Sequence, residues 1–256
     1  MKPFALKTYR IYAESLDRDV EITVFSSGNQ TLKRPLILMQ DGQNLFFDQF
    51  ATYKTSWGLL NFIAREDFLD CILVGITCGD GSVRLDEYCP DVFDFRAQHA
   101  TDYAREVGGK GDAYLDFIYH TLIPHIRLTF RCEDKVYIGG SSMGGVIACY
   151  AALSYPDQTA GIFGLSNAFW VACDSFATRI EQFKGELPKI YLDLGDMEHR
   201  EPFEMGYIRD CEERIEAALT LRKPAKMRFE IIRNGVHNEA SWRQRIEEIL
   251  RWMLEK

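Results

Sequence analysis

The stretch Val136-Tyr137-Ile138-Gly139-Gly140-Ser141-Ser142-Met143-Gly144-Gly145-Val146-Ile147-Ala148-Cys149-Tyr150 constrains the fold more than any other part of the chain. Three apolar residues read as the end of a buried strand, a Gly/Ser-rich turn follows, and an apolar run rich in small residues reads as a helix. Inside it, Gly140-x-Ser142-x-Gly144 has the spacing of a nucleophile elbow. A strand that turns at once into a helix strains the backbone of the turning residue. Its neighbours two before and two after must be small, because helix and strand pass very close. Size decides the register. With Ser141 at the apex, the position two residues later would be Met143, too large for that approach, whereas Ser142 has glycine at both places. The turn holds the Ser142 hydroxyl above the sheet edge, and the Met143 N–H at the helix start can point at a developing negative charge. The absence of a lysine argues against a phosphate loop of the G-x-x-x-x-G-K type.

The remaining pattern alternates strand and helix. Thr8–Ala13 and Val20–Phe25 read as an antiparallel strand pair. Pro35–Met39, a continuous apolar run, and Cys71–Ile76 read as buried strands, and Lys135–Ile138, Gly161–Leu165, Lys189–Gly195 and Met227–Ile232 as further strands. Helical spacing is found over Trp57–Arg65, Ala113–Phe130, the elbow helix to about Tyr155, Glu204–Leu221 and Ala240–Leu254, with Pro124 expected to kink or split the second. Residues 77–110 read as one long irregular section, and 166–184 as irregular with a possible helix from Ser175. No linker or repeat divides the chain, so 1–256 reads as one α/β domain with a mostly parallel sheet covered by helices on both faces. In such sheets ligands bind at the carboxyl ends of the strands. The elbow, Gln40–Asn44, Asp196–His199 and the His237 loop each follow a strand directly, so they are expected to gather on one edge.

Composition excludes some classes. A net charge of −8 argues against a nucleic-acid or anionic-membrane surface. No apolar run reaches bilayer-spanning length, and residues 1–10 lack a signal-peptide core. The seven cysteines contain no C-x-x-C pair and no zinc spacing, so reduced thiols in a cytoplasm are the expectation. Glu198, His199, Glu201 and Glu204 lie close in sequence without H-E-x-x-H spacing, and a solvated acidic turn accounts for them better than a metal site.

A serine nucleophile needs a base and a carboxylate that orients it. Of the five histidines, His120 and His125 fall in a helix away from the catalytic edge, His99 lies in the long loop, and His199 comes too early in the Ser…acid…His order of α/β hydrolases. His237 follows the last strand and precedes the last helix, where it serves as base or merely caps that helix. For the acid, Glu198 ranks first and Asp196 second, while Asp193 lies within the strand and alternates with Leu192 and Leu194. A second oxyanion donor is expected from the loop after the first central strand, with the Gln43 N–H preferred and Gly42 next.

These residues together resemble the esterase family of α/β hydrolases that includes feruloyl and acetylxylan esterases, S-formylglutathione hydrolases and enterochelin esterases. The matching pieces are Asp41-Gly42-Gln43-Asn44-Leu45-Phe46, Arg84-x-x-Glu87-Tyr88-x-Pro90, Tyr114-Leu115-x-Phe117, Gly140-Ser141-Ser142-Met143-Gly144-Gly145, Gly195-x-x-Glu198 and His237-Asn238-Glu239-x-x-Trp242, spread over nearly the whole chain. The resemblance implies an α/β-hydrolase fold with Ser142 as nucleophile, His237 as base and Glu198 as acid, acting on a small-molecule ester without cofactor. It makes Arg84 and Tyr88 braces of the loop. The aromatic content of Tyr88, Phe93, Phe95, His99 and Asn167–Trp170 suggests a substrate pocket. An acyltransferase with the same triad and a catalytically silent binding domain are the alternatives; neither the substrate nor the oligomeric state can be read.

Overall fold

A computed structural model describes residues 1–94, 106–199 and 202–255. Among the described residues there are ten strands: β1 (Phe4–Ala13), β2 (Arg18–Ser27), β3 (Arg34–Gln40), β4 (Ile72–Ile76), β5 (Val92–Asp94), β6 (Glu106–Gly108), β7 (Cys132–Ser141), β8 (Thr159–Leu165), β9 (Lys189–Gly195) and β10 (Lys226–Ile232). Eight of them form one sheet in the order β1-β2-β4-β3-β7-β8-β9-β10. From β4 to β10 every neighbour is parallel, and β1 and β2 add an antiparallel pair at one edge. Both the parallel sheet and the N-terminal pair agree with the sequence reading.

Strand β3 shows why an apolar run rather than an alternating one is needed. Leu36 and Leu38 face one core cluster, with Val136, Ile138 and Tyr114, while Ile37 and Met39 face a second, with Trp57, Phe163 and Trp242. Both faces are dry, as a parallel sheet requires. Each such side chain contributes roughly 1.5–3 kcal/mol of burial.

Among the described residues the α-helices are α1 (Leu60–Ile63), α2 (Ser82–Glu87), α3 (residues 111–129), α4 (Met143–Ser154), α5 (Cys173–Gln182), α6 (Pro202–Leu221), α7 (Glu239–Arg243) and α8 (Ile246–Leu254). Four depart from the sequence reading, each for a local reason. First, α1 is shorter than Trp57–Arg65, because Gly58 is left-handed (φ 64°) and the N–H groups of Trp57 and Leu59 bond the Asn44 and Leu45 carbonyls. The expected irregular section contains α2 and the β5–β6 ribbon; Glu87 of α2 is buried and takes a bidentate bond from Arg18 (2.7 and 2.6 Å). Pro124 does not split α3, which runs on through it. A π-helical stretch, Phe117–Leu122, precedes it, the kind of widened turn that accommodates a residue lacking an N–H. Finally, the closing helix breaks at Gln244–Arg245, where the Arg245 guanidinium turns inward to the fully buried Asp193 (2.7 and 2.9 Å).

Candidate active site

The loops after β3, β7, β9 and β10 leave the carboxyl ends of parallel strands and share one rim. A recurrent backbone feature marks that rim. Asp41 after β3 (φ 55°), Ser142 after β7 (φ 57°), Ser166 after β8 (φ 51°) and Asn234 after β10 (φ 58°) are all left-handed without being glycine. Each reverses the chain at the strand end at a cost of order 1 kcal/mol or more for a side-chain-bearing residue.

Ser142, at φ 57° and ψ −124°, is the N-cap of α4. Its flanking glycines are sterically required. A Cβ on Gly140 would stand 2.8 Å from the Gln40 Cβ and 3.2 Å from the Gly144 carbonyl carbon; one on Gly144 would stand 3.1 Å from the Gln40 Cβ. The Ser142 N–H bonds the Leu165 carbonyl (2.9 Å) and its carbonyl accepts from Gly145 and Ala168 (3.0 and 3.3 Å), which locks the apex against β8. Met143 opens α4, so its N–H belongs to the first turn and has no carbonyl within the helix to bond.

Two turns meet at the other end of the rim. Gly195 and Gly235 touch: a Cβ on Gly195 would lie 2.3 Å from the Gly235 carbonyl oxygen. Backbone bonds from Asp196 to Ile232 (3.1 Å) and from Met197 to Gly235 (2.9 Å) tie the turns together. Glu198 folds back so that its Oε1 accepts the Gly195 N–H (2.7 Å), and its Oε2 lies 2.5 Å from His237 Nδ1. The carboxylate is buried, 3% exposed, while the imidazole is 38% exposed and open to a substrate. The ring also stands edge-on against Trp242 (5.3 Å between centroids, 80°). Asn238 caps α7 by accepting the Ser241 N–H (2.9 Å), so His237 is free of the capping role. Asp196, the second choice of acid, instead accepts the Asn234 N–H (2.7 Å) and pins the His237 loop.

A chain of contacts joins the two ends. Trp242 Nε1–H donates to Ser166 Oγ (2.7 Å), and Ser166 follows the β8 residue that receives the Ser142 N–H. The Ser166 N–H and Arg245 both bond Asp193. Asp193, ranked below Glu198 and Asp196, is therefore a buried strut under the rim. Burial pushes its carboxyl up, against the pull of Arg245.

After β3, Asn44 and Leu45 N–H groups close a 3-10 turn onto Asp41 and Gly42 (2.8 and 3.3 Å), leaving the Gln43 N–H ahead of the first of these bonds. The Gln43 side chain grips Cys78, donating to its Sγ (3.1 Å) and accepting its N–H (3.4 Å). Arg84 holds Asp41 with two bonds (2.7 and 2.8 Å), and the Tyr88 hydroxyl accepts the Asp41 N–H (3.2 Å), the bracing role expected of both. Asn44 donates to Glu239 (3.2 Å), linking this loop to the residue two after His237. Burial pushes the Glu239 carboxyl up.

Sequence reasoning missed the Trp242–Ser166–Asp193–Arg245 strut and the Asn44–Glu239 link. An inward Arg–Asp pair leaves no local pattern; the amphipathic spacing of the last helix concealed Arg245. The expected aromatic pocket needs correction: Tyr88 and Phe169 are fully buried core residues and Phe93 is nearly so, while Phe95 and His99 lie outside the described residues. His120 pairs with Asp116 (2.8 Å) and His125 packs on Tyr9, both away from the rim. His199 bonds Glu204 (2.6 Å), and Glu201 lies outside the described residues. Among the described residues no helix is long and apolar enough to cross a membrane. A surface cavity of about 460 Å³ beside Phe47 and Arg243 includes none of Ser142, Glu198 or His237.

The esterase family described as "Putative esterase" matches residues 13–253. The chain belongs to this family. It is 28% identical to YbbA of Bacillus subtilis, an uncharacterised protein, over 171 residues, 65% of this chain and 63% of that one. Among solved structures it resembles the enterobactin esterase FES of Shigella flexneri (TM-score 0.75, 19% identity, 99% of this chain and 59% of that one). It also resembles the siderophore hydrolase EstA of Aspergillus nidulans (TM-score 0.73, 18% identity, 98% and 95%). The chain thus spans less than two thirds of the length of YbbA and of FES. As a member of that family it has the α/β-hydrolase fold.

Proposed function

We propose that the chain is a serine carboxylic-ester hydrolase with Ser142 as nucleophile, His237 as general base and Glu198 as the acid that orients it. The observation that carries this reading is the 2.5 Å contact between His237 Nδ1 and Glu198 Oε2, made across 39 residues of chain on the rim that also bears the strained Ser142. With Nδ1 engaged by the carboxylate, Nε2 is the nitrogen left to accept a proton. Ser142 Oγ attacks the ester carbonyl and gives its proton to His237. The Met143 and Gln43 N–H groups stabilise the oxyanion. The tetrahedral intermediate collapses to an acyl-enzyme as the alkoxide takes that proton and leaves. Water then attacks the acyl carbon, giving a proton to His237, which returns it to Ser142 as the acid departs. No step calls for a cofactor.

The test is covalent. A fluorophosphonate probe should label Ser142, and p-nitrophenyl acetate should be hydrolysed with a burst of p-nitrophenol. Wild-type turnover by S142A would refute the assignment. The enterobactin named for FES and the siderophores named for EstA are the first natural candidates to assay, beside feruloyl and acetyl-sugar esters.

A further inference from the structure

Asn44 and Glu239 lie 195 residues apart in the chain and meet inside the protein, where Asn44 Nδ2 donates to Glu239 Oε1 (3.2 Å). Both are buried, Asn44 at 8% exposed and Glu239 at 4%. The amide cannot turn over. Its Oδ1 accepts the Thr52 N–H (2.9 Å), an obligate donor, which leaves Nδ2 to face the carboxyl. The Asn44 backbone is held as well, its N–H by the Asp41 carbonyl and its carbonyl by the Trp57 N–H (2.8 Å each). Asn44 directly follows Gln43, and Glu239 stands two residues after His237 as the first residue of α7. Two further contacts tie the same segments farther out: Arg243 Nε donates to the Ser56 carbonyl (2.7 Å), and Trp57 packs on Trp242 (5.6 Å between centroids). Taking a carboxyl out of water is unfavourable unless it is hydrogen-bonded, and α7 has its cap from Asn238 without Glu239. Burial pushes the Glu239 carboxyl up, yet an acceptor remains at Oε1 in either protonation state, because a neutral carboxyl keeps its carbonyl oxygen.

We propose that Glu239 is a positioning residue for ester hydrolysis, acting through Asn44 to fix the Gln43 N–H relative to His237. The inference rests on the catalytic reading above. In that reading one tetrahedral carbon is met from two sides. The Gln43 N–H reaches its oxygen, and His237 Nε2 reaches the Ser142 oxygen and the leaving group. The first comes from the loop after β3 and the second from the loop after β10, strands that β7, β8 and β9 separate in the sheet. No strand ladder joins β3 to β10, so the spacing of donor and base depends on contacts beyond the strand ends. The Asn44–Glu239 bond is such a contact, one residue from Gln43 and two from His237. A misplacement of donor against base is felt most in the transition state, where charge sits on the oxygen, and less in the bound ester. Losing the bond therefore lowers kcat and leaves KM nearly unchanged.

The experiment measures p-nitrophenyl acetate hydrolysis and thermal midpoints for the full chain and its variants. E239A should lower kcat about 10–10²-fold with KM within about threefold of wild type. E239L fills the space that truncation empties and should behave the same, which covers the case of an E239A chain that does not fold. E239Q keeps an acceptor at Oε1 and should stay within about threefold of wild type in kcat. N44A should match E239A, and N44A/E239A should be no slower than either, because one bond is lost in all three. Affinity for phenylboronic acid, whose adduct with Ser142 is tetrahedral, should fall by the same factor as kcat. R243M, which loses the outer tie to Ser56, should lower the thermal midpoint while holding kcat within about threefold. Wild-type kcat in E239A or E239L, a loss confined to KM, multiplied losses in the double variant, or E239Q or R243M as slow as E239A would each overturn the proposal alone. A wild type that the fluorophosphonate probe leaves unlabelled would instead refute the catalytic reading, and this proposal with it.

Discussion

The Ser142 end of the rim and the Glu198–His237 end are built on opposite terms. The first is contiguous: Gly140, Ser142 and Gly144 lie within five residues, and contact between a helix and a strand dictates their sizes. The second is assembled from two loops, which can meet because Gly195 and Gly235 allow their backbones to touch. A local device is secured by steric exclusion. A long-range one depends on every bond that sets the distance between its loops.

Removing the proposed nucleophile gives the largest expected effect. S142A should lower turnover of p-nitrophenyl acetate by about 10⁴–10⁶ with an unchanged circular dichroism spectrum and thermal midpoint. H237A should cost a similar factor, since nucleophile and base act as a unit. At the assembled end, E198Q should cost about 10²–10⁴, whereas D196N, which replaces a charged acceptor of the Asn234 N–H by a neutral one, should cost less than tenfold in kcat and roughly 1 kcal/mol in urea unfolding. If D196N were the more damaging of the two, the acid would have to be reassigned.

The contrast itself is probed by G195A, whose new Cβ would meet the Gly235 carbonyl oxygen at 2.3 Å. Pushing the loops apart by a fraction of an ångström should lower kcat by about 10²-fold while leaving the elbow intact. Normal activity in G195A would mean that the two loops adapt freely.

The smallest and most specific effect concerns Glu212. It is buried, and neither carboxyl oxygen has a hydrogen-bond partner. Burial holds its carboxyl well above the usual range, only partly offset by Asn167 beside it. The folded chain thus keeps a proton that the unfolded chain releases above about pH 4.5, so this site's contribution to stability falls as pH rises from there through the folded value. E212Q removes the titration. Its stability relative to wild type should therefore grow from pH 5 to pH 8 by roughly 1–3 kcal/mol, measured by urea unfolding. A difference independent of pH would show that Glu212 is ionised in the fold.

The elbow register was legible because glycine spacing and side-chain size act over a few residues. Strand β3 was legible as an apolar run, since Leu36 and Ile37 both had to be buried although they face opposite ways. His237 could be singled out by its place after the last strand. Its partner could only be ranked, because Asp196 and Glu198 share one turn and differ in which contacts they reach. The length of the helix at Trp57 and the break at Arg245 differ from what local spacing predicts, and Pro124 does not split α3. In each, a distant group or a rearranged backbone overrode local spacing.

By itself the sequence determined the strand–turn–helix at Ser142, the order of the strands along the chain and the residue types available to each loop. These follow from sterics and burial between near neighbours. Only the tertiary structure decided that Glu198 and not Asp196 meets His237, that Asn238 takes the cap, and that Asp193 and Arg245 brace the rim from below. Those choices rest on distances between strand ends many residues apart, which packing of the whole sheet sets.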